Sequence, residues 1–396
     1  MGNDMEKGDL RVAYRIPCDV DALEHSPDLP ASIFDPGDEL FGVKERESLI
    51  AEALSLSAQP PFSLRPSVPI AAKWGAQYMR YNRVEGLSVG GTLEQQFGGG
   101  YTVRGLGRLG LADREPNAEV TVERSNLAQS VRFTGYNRLV SANDWGNPLS
   151  FGSSLSALLW GRDEGFYYRA SGLEVGWRQE RGAQFDWRIF AEQERTAEQS
   201  TTFSLAHASH GAEFQPNIMT RSAAFIGTSM RLTHSHGLDP QGFRVFTDLR
   251  AEAAASDTAY GRAALDLTVT QGFGQMVAGA LTLSGGSSIG AVPAQRRWFL
   301  GGTQTIRGQA PDTALSGNAF WMTRGELGVG LSSARPVVFS DFGWVGDRDH
   351  FDRVGRPLSG VGVGSSFMDG LVRFDVARGI YPRKQWRVDM YVEAKF

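Results

Sequence analysis

Gln385-Trp386-Arg387-Val388-Asp389-Met390-Tyr391-Val392-Glu393-Ala394-Lys395-Phe396 alternates without a break. Trp386, Val388, Met390, Val392, Ala394 and Phe396 make one face, and Gln385, Arg387, Asp389, Tyr391, Glu393 and Lys395 make the other. Successive side chains of a strand point to opposite sides, so this is a strand with one apolar and one polar face. Twelve residues rising ~3.3 Å each and tilted by ~40° span roughly 30 Å, the depth of a hydrocarbon core. The segment before it repeats the split, with Val372, Phe374 and Val376 against Arg373 and Asp375. A soluble sandwich strand also alternates, but over shorter runs. The pattern predicts an all-β chain, a transmembrane antiparallel β-barrel with lipid on one face and a wet lumen on the other.

Composition agrees with that reading without deciding it. Of 396 residues, 41% are hydrophobic, 11% aromatic and 48 glycine. No run of ~18 apolar residues marks a spanning helix, and a polar lumen keeps a barrel's mean hydropathy low. The net charge of −4 argues against a nucleic-acid partner. Arginine supplies 35 of the 40 basic residues, which suits fixed arginine–carboxylate pairs and equally a GC-rich genome. A single cysteine, Cys18, excludes an internal disulfide framework. Met1-Gly2-Asn3-Asp4 does not read as a signal peptide, so the expectation is that such a segment stood upstream.

Residues 1–70 hold 8 of the 17 prolines and little alternation, and read as a periplasmic segment plus a proline-rich linker. Within them, Leu49, Ile50, Ala53 and Leu54 fall at helical spacing in Lys44–Leu56. Residues 71–396 read as the barrel. Strands are expected from Asn82 to Phe97, at 101–111, 117–125, 129–139, 150–160, 165–178 and 184–196, then at 219–235, 242–256, 260–272 and 276–288. Residues 82–396 would give sixteen strands about 20 residues each with their loops. Ser150–Trp160 is ambiguous, because Leu155, Leu158 and Leu159 also sit at helical spacing. Taken as a strand, it makes eleven before residue 298 and places the next loop on the outer side.

That next loop holds the most distinctive residue. Trp298-Phe299-Leu300-Gly301-Gly302-Thr303-Gln304-Thr305-Ile306-Arg307-Gly308 precedes one segment with a lone carboxylate, Glu326, and another with Asp341 in Phe339-Ser340-Asp341-Phe342-Gly343. If Glu326 faces the lumen, so do Phe320, Met322 and Arg324, while Leu327, Val329 and Leu331 face lipid. Asp341 inward puts Phe342 and Trp344 outward. An arginine fork never loses its charge and can bridge two carboxylates. The expectation is a loop folded back into the lumen, with Ile306, Arg307 and Gly308 at its tip, tied to Glu326 and Asp341.

Leu300-Gly301-Gly302, Ile306-Arg307-Gly308, the acidic strand and Phe-x-Asp-x-Gly, in that order, resemble the bacterial surface antigen superfamily. These are outer-membrane barrels that assemble other barrels or secrete partner proteins. The resemblance is good from Trp298 onward and rests on pattern before it. It implies a sixteen-stranded barrel in the bacterial outer membrane whose sixth outer loop tucks into the lumen, with outer-membrane lipid, unfolded protein clients and periplasmic accessory proteins as partners. The family usually has an aromatic after Arg-Gly, where this chain has Gln309. Residues 1–70 do not spell out one of the family's periplasmic repeats. Function in the family lies in the lumen plug and in the seam between first and last strands, here expected to pair Asn82–Phe97 with Gln385–Phe396. Trp386, Val388, Met390, Val392 and the terminal Phe396 resemble the family's barrel-recognition signal.

Other motifs have plainer readings. Gly105-Leu106-Gly107-Arg108-Leu109-Gly110 matches a dinucleotide fingerprint, but lies inside an alternating strand with no following helix. Gly360-Val361-Gly362-Val363-Gly364 is a glycine-rich strand. His207, His210, His234 and His236 lack an acidic partner at fixed spacing and read as solvated. Ser153-Ser154 and Ser365-Ser366 sit in no catalytic elbow, so neither an enzyme nor a cofactor site is expected. A general diffusion porin is the main alternative, and it would not need the arginine loop. A membrane-bound hydrolase would need a catalytic serine or carboxylate pair.

Overall fold

The alternating segments pair in chain order into one antiparallel sheet that closes into a barrel. The computed structural model describes residues 69–392 apart from 211–212, 238, 240–241, 275, 331–333, 354 and 368–371, together with 3–7, 10–14, 47–48, 50–51 and 63–66. The chain divides into two compact units, Met1–Pro60 and Pro61–Phe396. In the first, Asn3–Lys7 pairs antiparallel with Leu10–Tyr14. Residues 47–48 and 50–51 are helical; Leu49, Ala53 and Leu54 of the expected helix lie outside the described residues.

The second unit is the barrel. Its first strand, β1, comes in three pieces, Ser63–Pro66, Ala71–Trp74 and Arg80–Asn82, all paired with β2 (Gly86–Gly98). Next come β3 (Tyr101–Gly110), β4 (Pro116–Ser125), β5 (Gln129–Ser141), β6 (Tyr167–Gln179) and β7 (Gln184–Thr196). Then follow β8 (Ala223–His236), β9 (Arg244–Ala255), β10 (Ala259–Phe273) and β11 (Val277–Gly290). The last five are β12 (Ala319–Val329), β13 (Ala334–Gly346), β14 (Leu358–Phe367), β15 (Val372–Tyr381) and β16 (Trp386–Val392). The ring closes where Ser63–Pro66 lies beside β16. With sixteen strands, residues 63 and 392 share one rim, and the long loops 142–166, 197–222 and 291–318 share the other.

Two expectations are corrected. Ser150–Trp160 is not a strand but helix α1 (Phe151–Trp160), because its ends carry helix signals. The Ser150 hydroxyl accepts the Ser153 N–H, and Gly161 stops the helix in the left-handed conformation (φ 67°). Ala157 and Leu158 then pack on Tyr81 and Phe214. Eleven strands still precede residue 298, since β1, hidden in the proline-bearing stretch, takes the lost place. Finally, Gly86–Gly98 is not a seam strand, being paired on one side with β1 and on the other with β3. The seam partner of β16 is the first piece of β1.

Exposure is inverted relative to a soluble protein. On β12, Glu326 is 6% exposed and Leu327 54%; on β13, Asp341 is 0% exposed and Val338 53%. Leucines, valines and phenylalanines cover the outside of every wall, and arginines, aspartates and glutamates line the inside. A surface of this kind is stable only against lipid. Among the described residues, no helix is long and apolar enough to cross a membrane. Leu283→Arg, on the outer face of β11, should destabilise the barrel by ~2–4 kcal/mol in urea titrations of folding in lipid vesicles. Arg231→Gln, in the wet lumen, should change it by less than ~1 kcal/mol.

Candidate functional site

The loop 291–318 folds into the lumen as a hairpin. Trp298–Phe299 pairs with Ser316–Gly317 to make its neck, and the Leu300 N–H donates to the Leu315 carbonyl at 3.0 Å. Alternation at the neck sends neighbouring aromatics opposite ways. Trp298 joins Leu300, Ile306, Phe320, Met322 and Leu358 in one buried cluster, with its ring 4.9 Å from Phe320. Phe299 stacks at 4.6 Å on Phe166 in another. Beyond the neck the Gly302 N–H donates to the Gln309 carbonyl at 2.8 Å. That bond folds the tip and aims Arg307 at the wall.

Arg307 meets both expected carboxylates. Its Nε and Nη2 donate to Asp341 Oδ2 and Oδ1, each at 2.6 Å, and its backbone N–H donates to Oδ2 at 3.0 Å. Nη1 donates to Glu326 Oε1. The Phe339 ring lies 3.7 Å beneath the guanidinium carbon. Two further arginines and one further acid complete the cluster. Arg373 donates to Glu326 Oε2 at 2.8 Å and to Asp375 Oδ1 at 2.9 Å. Arg324 donates to the loop carbonyls of Gln304 and Thr303 at 2.9 and 3.2 Å. Three cations and three anions are thus buried together, charge against charge. Burial disfavours the Arg307 cation, but Asp341 and Glu326 outweigh it and hold its pKa well above the ordinary range.

The sheet register explains why the tip can reach this place. Arg324 pairs with Asp341, Asp341 with Gly360, and Gly360 with Gly379, a single row across β12 to β15. A side chain on Gly360 would overlap the Arg307 carbonyl, and one on Gly379 would sit 2.7 Å from the Gly308 carbonyl. Gly308 itself has φ 84°, a conformation natural to glycine. Gly360 of β14 and Gly379 of β15 are therefore a cradle for backbone. Gln309, where the family usually has an aromatic, is buried. Its Nε2 donates to the Ser359 and Arg383 carbonyls, both at 3.1 Å, tying the tip to the β15–β16 turn.

Reading the sequence missed the loop's second anchor. Arg296 is buried among Glu192 and Glu194 of β7, Glu252 of β9 and the Tyr260 hydroxyl; Glu192 Oε1 and Glu252 Oε1 lie at 3.0 and 2.9 Å. Glu192 and Glu194, two apart on one strand, were the available signal. Arg373 and Asp375 were legible as inward residues, but not as members of the cluster. Trp386, Val388 and Met390 face outward. The Val392 side chain and all of Phe396 lie outside the described residues. The His207 ring packs edge-on against Phe214 at 4.6 Å, while His234 and His236 end β8. Beside the loop a lumen cavity of about 870 Å³ runs from Trp298 to Glu180 and Gln184 at the opposite rim, lined by Arg132, Glu174, Asp186 and Arg231 among others.

The haemolysin secretion/activation protein family ShlB/FhaC/HecB matches residues 212–367. No curated protein sequence matches the chain. The fold is similar to that of BamA from Haemophilus ducreyi lacking POTRA domains 1–3, with a TM-score of 0.56 and 14% identity over 83% of this chain and 69% of that one. CdiB from Acinetobacter baumannii aligns with a TM-score of 0.46 and 12% identity, over 81% of this chain and 57% of that one. For CdiB from Escherichia coli the values are 0.47, 14%, 83% and 63%. The chain thus spans less than two thirds of either CdiB.

Removing one member of a buried ion cluster strands the others. Arg307→Ala should therefore lower barrel stability by about 3–5 kcal/mol, visible as a lower melting temperature of the compact band in heat-modifiability gels. Gly360→Val leaves every charge in place yet should displace the tip, because the added side chain takes the space of the Arg307 carbonyl. Protease protection of the loop should fall in this variant while the barrel stays folded.

Proposed function

We propose that this chain, a barrel of the bacterial surface antigen superfamily, moves protein across or into the bacterial outer membrane, with loop 291–318 as a removable internal stopper. The observation that carries this reading is the secretion/activation family match over residues 212–367, which includes the loop, Arg307 and both of its carboxylates. A polypeptide in transit is unfolded and carries exposed amides and charges of both signs. The wall beside the loop offers both signs as well, with Arg132, Arg188 and Arg231 alternating with Glu174 and Asp186 along the cavity. Such a wall can exchange hydrogen bonds with a passing chain without holding one sequence tightly.

The stopper must leave for a chain to pass, and Arg307 sets how readily it does. Its hydrogen bonds to Asp341 and Glu326 define one closed position and are contacts that water or a client could replace. The partners proposed on this reading are an unfolded protein client and periplasmic accessory proteins.

Conductance separates this reading from a diffusion porin. In planar bilayers the wild-type barrel should be mostly closed with brief openings, and Arg307→Ala should open it at least severalfold more often. A steady, large conductance unaffected by Arg307→Ala would identify a porin and refute the stopper.

A further inference from the structure

Of the three pieces of β1, Ser63–Pro66 is the one beside β16, while Ala71–Trp74 and Arg80–Asn82 pair with β2. Inside the lumen, one tripeptide touches both sides of that junction. Gly161 ends α1 in the left-handed conformation and redirects the chain, so Arg162, Asp163 and Glu164 project to three different partners.

Arg162 Nη1 donates to Asp389 Oδ1 of β16 at 2.7 Å. Asp163 Oδ2 accepts the Arg83 backbone N–H at 2.8 Å, in the turn that follows β1. Arg83, fully buried, returns the contact, its Nη1 donating to the Asp163 carbonyl at 3.0 Å and its Nη2 to the Gly165 carbonyl at 2.6 Å. Glu164 Oε1 accepts from Arg387 Nη2 of β16 at 2.6 Å. Its other oxygen, Oε2, accepts the Thr303 N–H and hydroxyl at 3.0 and 3.1 Å. Thr303 is four residues before Arg307 in the internal loop. Three consecutive residues therefore join the first hairpin, the last strand and the stopper.

We infer that Arg162-Asp163-Glu164 is a latch that holds the first and last strands together from inside, and that withdrawal of the arginine-held loop loosens it. The inference rests on the reading of loop 291–318 as a removable stopper. The physical basis is the addition of one kind of bond to another: beside the strand pairing of Ser63–Pro66 with β16, charged side chains from the lumen bridge the same junction. Withdrawing the loop takes Thr303 with it and removes two of the three hydrogen bonds that orient Glu164 toward Arg387. The seam and the stopper are then coupled through one carboxylate.

Hydrogen exchange on the full chain folded in lipid vesicles tests this. Arg162→Asp, which sets like charges against Asp389, should raise exchange of the 386–392 amides at least tenfold and leave the β10 and β11 amides at wild-type rates. Arg162→Lys, which keeps a cation facing Asp389, should leave exchange slow. Glu164→Gln, a milder change that keeps an acceptor for Thr303, should give the same local rise if Arg162→Asp does not fold. Unchanged exchange at 386–392 in the folded variants would overturn the latch, as would a rise equally large in β10 and β11. The readout needs no transport. Conductance insensitive to Arg307→Ala would remove the stopper reading while leaving a local rise at the seam in place, and flat exchange would remove the latch alone.

Discussion

The burial of one guanidinium governs the inside of this barrel. Arg307 is taken out of water along with Arg324, Arg373, Glu326, Asp341 and Asp375. Desolvating six charges is expensive, and the cluster is tolerable because Arg307 and Arg373 hydrogen-bond to its carboxylates while Arg324, 3.7 Å from Asp341, donates to loop carbonyls. Such a network is a weak source of net stability and a strong source of specificity. The loop has one position in which every charge is matched, and leaving that position part-way exposes an unmatched charge to a low-dielectric site.

Backbone geometry makes the network possible. A tip that brings its main chain against a barrel wall needs a wall without side chains, and the row through Gly360 and Gly379 provides one. The apolar cluster around Trp298, Leu300 and Ile306 positions the hairpin along its length, while the charges fix its depth. Gln309 adds polar ties to β14 and to the β15–β16 turn.

The same division of labour recurs at the junction of first and last strands. Lipid outside demands an apolar face and satisfied backbone groups, and the lumen side supplies ionic contacts from loops. Arg162, Asp163 and Glu164 draw on residues far apart in the chain, Arg162 and Asp389 being separated by 227 positions. Loops that cap the lumen on the side of the long connections are thus part of how the cylinder is held together.

Alternation along Gln385–Phe396 and the strands before it was enough to specify a membrane barrel, because a period of two with one greasy side has few other uses. The order Ile306-Arg307-Gly308, Glu326, Asp341 also pointed to three members of the buried cluster, mostly through the family resemblance, since period two says which residues share a side and not which side faces the lumen. Local pattern was not enough at Ser150–Trp160, where leucine spacing fits helix and strand alike and only the Ser150 and Gly161 caps decide. It also failed for β1, whose three short pieces lack a run long enough to show alternation. Arg296, Arg373 and the Arg162-Asp163-Glu164 triplet were beyond sequence reading for a different reason. Their partners are chosen by strand register and loop folding across the lumen, and a charge carries no mark of which distant charge it will face until the cylinder closes.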